Sequence, residues 1–201
     1  MKGIGCWSLG QETEEVWKKY STFLENNEEK YMDLENVNFA NDAIEFVKEK
    51  GWIKGRSENI FAPNEYLTRG EAATIIARVL NLDIIDGYET LYADTNYHWA
   101  KTSINVLTKT GLMEGYPDKT FKPDTFIKRE EIAKILSLLK YNYKRDEEVT
   151  FNDVDINRWS YKYIMDLAKK GILVGYEDGN FKPENNITRA EIAVILERMY
   201  K

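Results

Sequence analysis

The sequence predicts a mainly α-helical protein built from three copies of a helix–loop–helix unit packed about a shared axis. Three observations carry this. Landmark residues recur at a fixed spacing: 111 less 51 and 171 less 111 both give 60, which relates Gly51, Gly111 and Gly171, and the same step relates Phe61, Phe121 and Phe181, Pro63, Pro123 and Pro183, and Glu71, Glu131 and Glu191. A fixed period of this length is the signature of a repeat architecture. Each copy also carries two stretches with apolar residues at helical spacing. Finally, the 201 residues are 43% apolar and 13% aromatic, ample for a packed core, whereas one pair of short helices buries too little surface to stand alone, so the copies must pack on one another.

The copies span 31–82, 92–140 and 151–201. Each opens with an aromatic-x-Asp step: Tyr31-Met32-Asp33, Tyr92-Ala93-Asp94 and Phe151-Asn152-Asp153. Phe39, Trp99 and Trp159 follow within a few residues. In the third copy Trp159, Tyr163, Ile164, Leu167 and Ala168 fall on one helical face, which predicts the first helix. Gly171 then stands where a left-handed C-terminal cap belongs, with Ile172 as its apolar contact. Gly175 to Pro183 is rich in turn formers and predicts an ordered loop. Thr188-Arg-Ala-Glu191 is a capping box that starts the second helix, whose buried stripe is Ile192, Ile195, Leu196 and Met199. Copy one repeats this with Thr68-Arg-Gly-Glu71 and Ile75, Ile76 and Val79, and copy two with Ile132, Ile135, Leu136 and Leu139. Residues 1–30 lie outside the repeat. There Gly3–Leu9 reads as a short buried strand and Glu12–Asn27 as a helix with Val16, Trp17, Tyr20, Phe23 and Leu24 inward.

Composition narrows the chemistry. Lys and Arg total 28 against 34 Asp and Glu, a net charge of −6, which lacks the basic surplus of nucleic-acid binders. The one cysteine, Cys6, allows no internal disulfide, and the one histidine, His98, argues against a multi-histidine metal site or a Ser-His-Asp arrangement. No cofactor is expected. No run of about 18 apolar residues is present, so no membrane insertion is expected, and the first residues lack the apolar core of a secretory signal. Asp153-Val-Asp155-Ile-Asn157 begins like a calcium loop, but Arg158 and Ile164 occupy the positions where such a loop needs glycine and glutamate. Glu177 and Asp178 read as solvated turn residues rather than an acid/base pair, and no catalytic residue is expected.

The ordered motifs aromatic-x-Asp, Trp, Gly-x-x-x-Gly-Tyr, Asp-Gly-x-Phe-x-Pro and Thr-Arg-Ala-Glu, complete in the third copy and repeated with substitutions in the other two, resemble the S-layer homology domain. That resemblance implies a pseudo-threefold, spindle-like helical trimer within one chain around a central helical bundle, and a monomer. It implies non-covalent binding of secondary cell-wall polysaccharide, often capped by a pyruvylated amino sugar, in grooves between repeats, and hence a cell-wall location on a Gram-positive-type envelope. The opening Gly-Ile-Gly-Cys-Trp-Ser-Leu-Gly run is similar to the closing strand of a family 18 glycoside hydrolase barrel. A barrel of that type takes about 250 residues, more than this chain holds, so the chain is expected to be the C-terminal anchoring part of a larger wall hydrolase.

The candidate ligand-binding set is Arg69, Arg129, Arg189, Trp99, Trp159, Asp33, Asp94, Asp153, Gly55, Gly115, Gly175 and Lys128. An arginine in the first turn of a helix opposes the helix dipole, yet all three copies keep one, and beside free helix-start amides it would form an anion site. The competing reading for these arginines is structural pairing with a carboxylate. The tryptophans could face a sugar ring or fill the core. The aspartates read first as helix-entry caps, with sugar contact as the alternative. The glycines, though set beside the expected grooves, serve architecture first. Copy one has Phe39 for tryptophan and Arg56 for tyrosine, and copy two has Lys128 for the capping threonine, so the grooves are expected to be unequal, with the Arg129 and Arg189 sites mattering most. Two other functions stay open: a protein–protein assembly module of the cell surface layer, and a hydrolase.

Overall fold

The computed structural model describes residues 31–82, 91–139 and 146–201, with Glu14, Glu15 and Lys18 ahead of them. The strand expected over residues 3–9 and all but these three residues of the helix expected over 12–27 therefore lie outside the described residues, as do most of the joins between copies. The described residues form six α-helices, two per copy: α1 Asn41–Glu49, α2 Arg69–Val79, α3 Lys101–Lys109, α4 Arg129–Ser137, α5 Tyr161–Lys169 and α6 Arg189–Tyr200. Short 3-10 turns, Asn38–Ala40 and Ala93–Thr95, lead into the first two copies.

Each first helix stops at the repeated glycine, as the spacing predicted. Gly51, Gly111 and Gly171 have φ of 68, 74 and 71°, a region open to glycine at little cost. The following amides then turn back on the helix: Trp52 N–H reaches Val47 O at 2.9 Å, Leu112 reaches Leu107 at 3.0 Å and Ile172 reaches Leu167 at 3.0 Å. These are Schellman caps, which satisfy carbonyls that a helix end otherwise leaves open. The second helices start as expected in copies one and three, where the Thr68 and Thr188 hydroxyls accept from Glu71 and Glu191 amides at 3.2 Å and the glutamates accept in return.

Helix pairing crosses the copies: α2 packs on α3, α4 on α5, and α6 closes the ring on α1. Every two-helix layer thus joins the second helix of one copy to the first helix of the next, which is why a single copy has no partner for its own apolar face. Ahead of each second helix an extended segment enters the axis. Leu67 N–H donates to Ile187 O at 2.9 Å, Ile187 to Ile127 at 3.1 Å, and Ile127 to Leu67 at 2.9 Å. This closed triangle of backbone bonds joins three fully buried side chains. The equally buried Phe61, Phe121 and Phe181 lie nearby in sequence, so one core runs through all three copies.

Candidate functional site

The three helix-opening arginines are buried, with 5, 5 and 3% of Arg69, Arg129 and Arg189 exposed. Each reaches out of its own copy into the next. Arg69 donates from Nε to Phe121 O at 3.0 Å, from Nη1 to Glu131 Oε1 at 2.7 Å and from Nη2 to Glu114 O at 2.9 Å. Arg129 repeats this with Phe181 O, Glu191 Oε1 at 2.9 Å and Val174 O. Aromatic rings flank the guanidinium: Tyr116 and Phe121 for Arg69, Tyr176 and Phe181 for Arg129. A planar, weakly hydrated cation suits such a slot, where its donors are matched and its faces lie on π-clouds.

The expectation of free helix-start amides is corrected. Arg69 and Gly70 N–H donate to Thr125 O and Pro123 O, Arg129 and Glu130 to Asn185 O and Pro183 O, and Arg189 and Ala190 to Glu65 O and Pro63 O. The loop of the next copy caps each second helix, because a buried amide must find an acceptor. An anion would have to meet the guanidinium edge, not the helix start. Structural pairing, the competing reading for these side chains, accounts for the Nη1 atoms of Arg69 and Arg129.

Arg189 is different. It donates to Phe61 O and Lys54 O, but the glutamate at the matching position, Glu71, pairs instead with Arg56 Nη1. Arg56 also binds Glu65 at 2.7 Å. Burial, with the like charge of Arg56 second, holds the Arg189 guanidinium below its ordinary range. Burial alone would raise Glu71, but the Arg56 hydrogen bond and the Thr68 amide outweigh it and hold Glu71 below the usual carboxylate value.

Open crevices lie at the seams beside Arg69 and Arg129. One, of about 180 Å³, is bounded by Arg69 of copy one, Gly115, Tyr116 and Glu131 of copy two, and Trp159 of copy three. A second, of about 680 Å³, is bounded by Arg129 of copy two, Gly175, Tyr176 and Glu191 of copy three, and Phe39 of copy one. Each therefore draws on all three copies. Trp99, Trp159 and Phe39 are 64, 51 and 70% exposed, which excludes the core-filling alternative for the two tryptophans. Trp159 precedes the first residue of α5, Tyr161, so its ring stands at the helix entry, outside the face formed by Ile164, Leu167 and Ala168.

The aspartates are placed otherwise than as sugar contacts or helix caps. Both oxygens of each are taken by consecutive amides of the same copy's loop: Asp33 by Phe61 and Ala62, Asp94 by Phe121 and Lys122, Asp153 by Phe181 and Lys182. The second residue of each pair is a non-glycine held at φ 60, 56 and 57°, a conformation costing about 1 kcal/mol or more. Two charge-assisted bonds offset that strain. Gly55, Gly115 and Gly175 are fixed by close approach: an added Cβ would come within 2.7 Å of the ring of Tyr31, Tyr92 or Phe151. Their first role is therefore architectural. Lys128 is exposed, lines neither crevice and offers no acceptor to cap α4, although Glu131 still accepts its amide at 2.9 Å.

Several crevice groups were not singled out from sequence. Glu131 and Glu191 read as capping residues, but each also pairs with the arginine 62 positions earlier. Tyr176 Oη donates to Glu191 Oε1 at 2.5 Å, and burial first, then that hydrogen bond, pushes its phenol up to about 12. The signal for both was present, since Tyr and Glu keep the 60-residue register in copies two and three. Lys182, which also lines the larger crevice, carries the same mark, since Lys122 stands 60 positions earlier, whereas Arg198 meets Leu138 at that spacing and carries none. Among the described residues no group of three or more His, Cys, Asp or Glu could hold a metal, and no helix is long and apolar enough to cross a membrane.

Comparison with known proteins gives the same number of copies. The model of the S-layer homology domain matches three times, at residues 30–73, 91–133 and 150–193. The chain is 34% identical over 163 residues to cell surface glycoprotein 1 of Acetivibrio thermocellus, covering 74% of this chain and 7% of that protein. It is 31% identical to the cellulosome-anchoring protein of the same organism, covering 90% and 41%, and 32% identical to the S-layer protein sap of Bacillus anthracis, covering 85% and 21%. The chain spans less than half the length of each.

Proposed function

Because the chain belongs to the S-layer homology domain family, we propose that it is a non-catalytic anchoring module that holds a protein to a bacterial cell surface by gripping wall polysaccharide at the seams between its copies. The observation that carries this is the make-up of the crevices. Each sets an exposed aromatic ring from one copy beside a guanidinium from a second and a Gly-Tyr step from a third, so the site exists only when the three copies are assembled. An aromatic face takes the apolar side of a sugar ring, and the arginine donors that remain after the ion pair and carbonyl bonds meet ring oxygens or a carboxylate. Arg129, Lys182 and Arg198 stand there beside Glu177, Asp178 and Glu191, so the larger crevice offers donors and acceptors in balance, and an anionic sugar, such as a pyruvylated one, would be gripped through the guanidinium and ammonium donors. Crevices engaging one polymer would add avidity. The names of the relatives, a cellulosome-anchoring protein and an S-layer protein, support the same reading. The Gly3–Leu9 run supports a wall-acting glycoside hydrolase as the anchored partner.

Co-sedimentation with purified cell walls tests this. The protein is expected to pellet with intact walls and to stay in solution once the non-peptidoglycan polymer has been removed. Equal pelleting with stripped walls, or none with intact walls, would reject polysaccharide anchoring and favour the assembly-module reading.

A further inference from the structure

The third copy lacks a hydroxyl that the other two place beside the repeated glycine. In copies one and two the phenol oxygens of Tyr31 and Tyr92 accept from Gly55 and Gly115 N–H at 3.0 and 2.8 Å. In copy three the ring edge lies in the same place: a Cβ on Gly175 would stand 2.7 Å from Phe151 Cε1, against 2.6 and 2.3 Å from the matching atoms of Tyr31 and Tyr92. Phe151 carries no hydroxyl, however, and Gly175 N–H has no acceptor among the described residues. The place of this amide gives it a use. Gly175, with Leu173, Val174 and Arg198, bounds both the crevice of about 680 Å³ and an adjoining one of about 350 Å³ whose wall includes Phe151. The crevice of copy two, about 180 Å³, contains Gly115, whose amide Tyr92 already occupies.

We propose that Gly175 N–H is a ligand-binding donor of the third-copy crevice, taking an acceptor oxygen of the bound sugar where tyrosine hydroxyls sit in the other copies. Tyr31 and Tyr92 close their own copies against the same contact. The Phe151 position thereby decides which seam grips the polymer, and the double crevice gives that seam room for more than one sugar unit. The chemistry is elementary: a backbone donor left without an acceptor beside a partly apolar cleft gains more from a sugar oxygen than from a loosely held water. An amide that already bonds a phenol in its own copy gains nothing.

This inference rests on the anchoring reading, and the experiment separates the two. Polysaccharide released from walls of Acetivibrio thermocellus is titrated calorimetrically into the full chain and into Phe151→Tyr and Tyr92→Phe variants. Phe151→Tyr is expected to weaken binding about tenfold, the worth of one hydrogen bond, with the melting temperature held or raised because the new phenol bonds Gly175. Tyr92→Phe, which opens the matching amide in copy two, is expected to raise the number of sites. Wild-type binding that Phe151→Tyr leaves unchanged would overturn the inference and leave anchoring standing. Should Phe151→Tyr fail to fold, an unchanged site number in Tyr92→Phe would overturn it instead. Absence of wild-type binding would remove both.

Discussion

The seam around Arg129 and the seam around Arg189 are built from the same motif, yet their charges are wired differently. At the first, Arg129 pairs with Glu191, Tyr176 covers one face of the guanidinium, and the phenol hydroxyl donates to the same carboxylate. At the second, Arg56 stands where the tyrosine would be, and it takes Glu71 for itself. Arg189 is left with two backbone carbonyls and one ring, Phe61. A second positive charge beside a buried arginine cannot share one carboxylate equally, and the side chain with more freedom and solvent around it takes the contact. One substitution in a turn has thus moved an ion pair from the interior to the rim without moving the backbone scaffold.

The largest effect expected from this contrast is on stability. Glu191→Ala strands a buried guanidinium and is expected to cost about 3 kcal/mol. Glu71→Ala removes a cap and a rim pair only, for about 1 kcal/mol. Chemical denaturation of both variants checks the gap, and equal losses would mean that the Arg129 pair has no special worth. Arg56→Tyr is expected to return Glu71 to Arg189 and to stabilise the chain by about 1 kcal/mol, read as a higher melting temperature and as a new Arg189–Glu71 contact in a structure of the variant. Lys128→Thr completes the third capping box and is expected to add roughly 0.5–1 kcal/mol, measured in the same way.

The pH responses of the two seams run in opposite directions. Tyr176 is raised from 10.0 to about 12 in the fold, so below pH 10 both states hold its proton and its contribution is complete. Between pH 10 and 12 the unfolded phenol ionises first, and that contribution is lost. Tyr176→Phe should flatten the alkaline fall, and a late phenolate absorbance in the wild type should vanish with it. Glu71 is depressed, so its contribution is present above the ordinary carboxylate value and is lost as pH falls through its folded one. Glu71→Gln should flatten that acid limb, with a smaller change than at the tyrosine.

How much of this was legible depended on whether the physics was local. Gly51, Gly111 and Gly171 announced helix ends because a left-handed cap is set by one residue and its neighbours, and Thr68 and Thr188 announced helix starts for the same reason. Trp159 stayed open between core and crevice because helical periodicity fixes which residues share a face but not where the helix begins, and a difference of two residues separates a core position from an exposed one. The aspartates were misassigned because their partners lie some 28 positions away, in a loop whose strain has no signature in composition. The arginines were correctly marked as unusual, but their cause was hidden, since the carboxylate that holds Arg69 belongs to the next copy.

By itself, then, the sequence determined the number of copies, their helices and caps, and the family, because those follow from period, local hydrogen bonding and apolar spacing. Only the tertiary structure decided which copy each helix packs against, which amides and guanidinium donors are already satisfied, and which seam keeps an open cleft. Those outcomes depend on distances between residues tens of positions apart, and a single hydroxyl or a single extra cation is enough to change them.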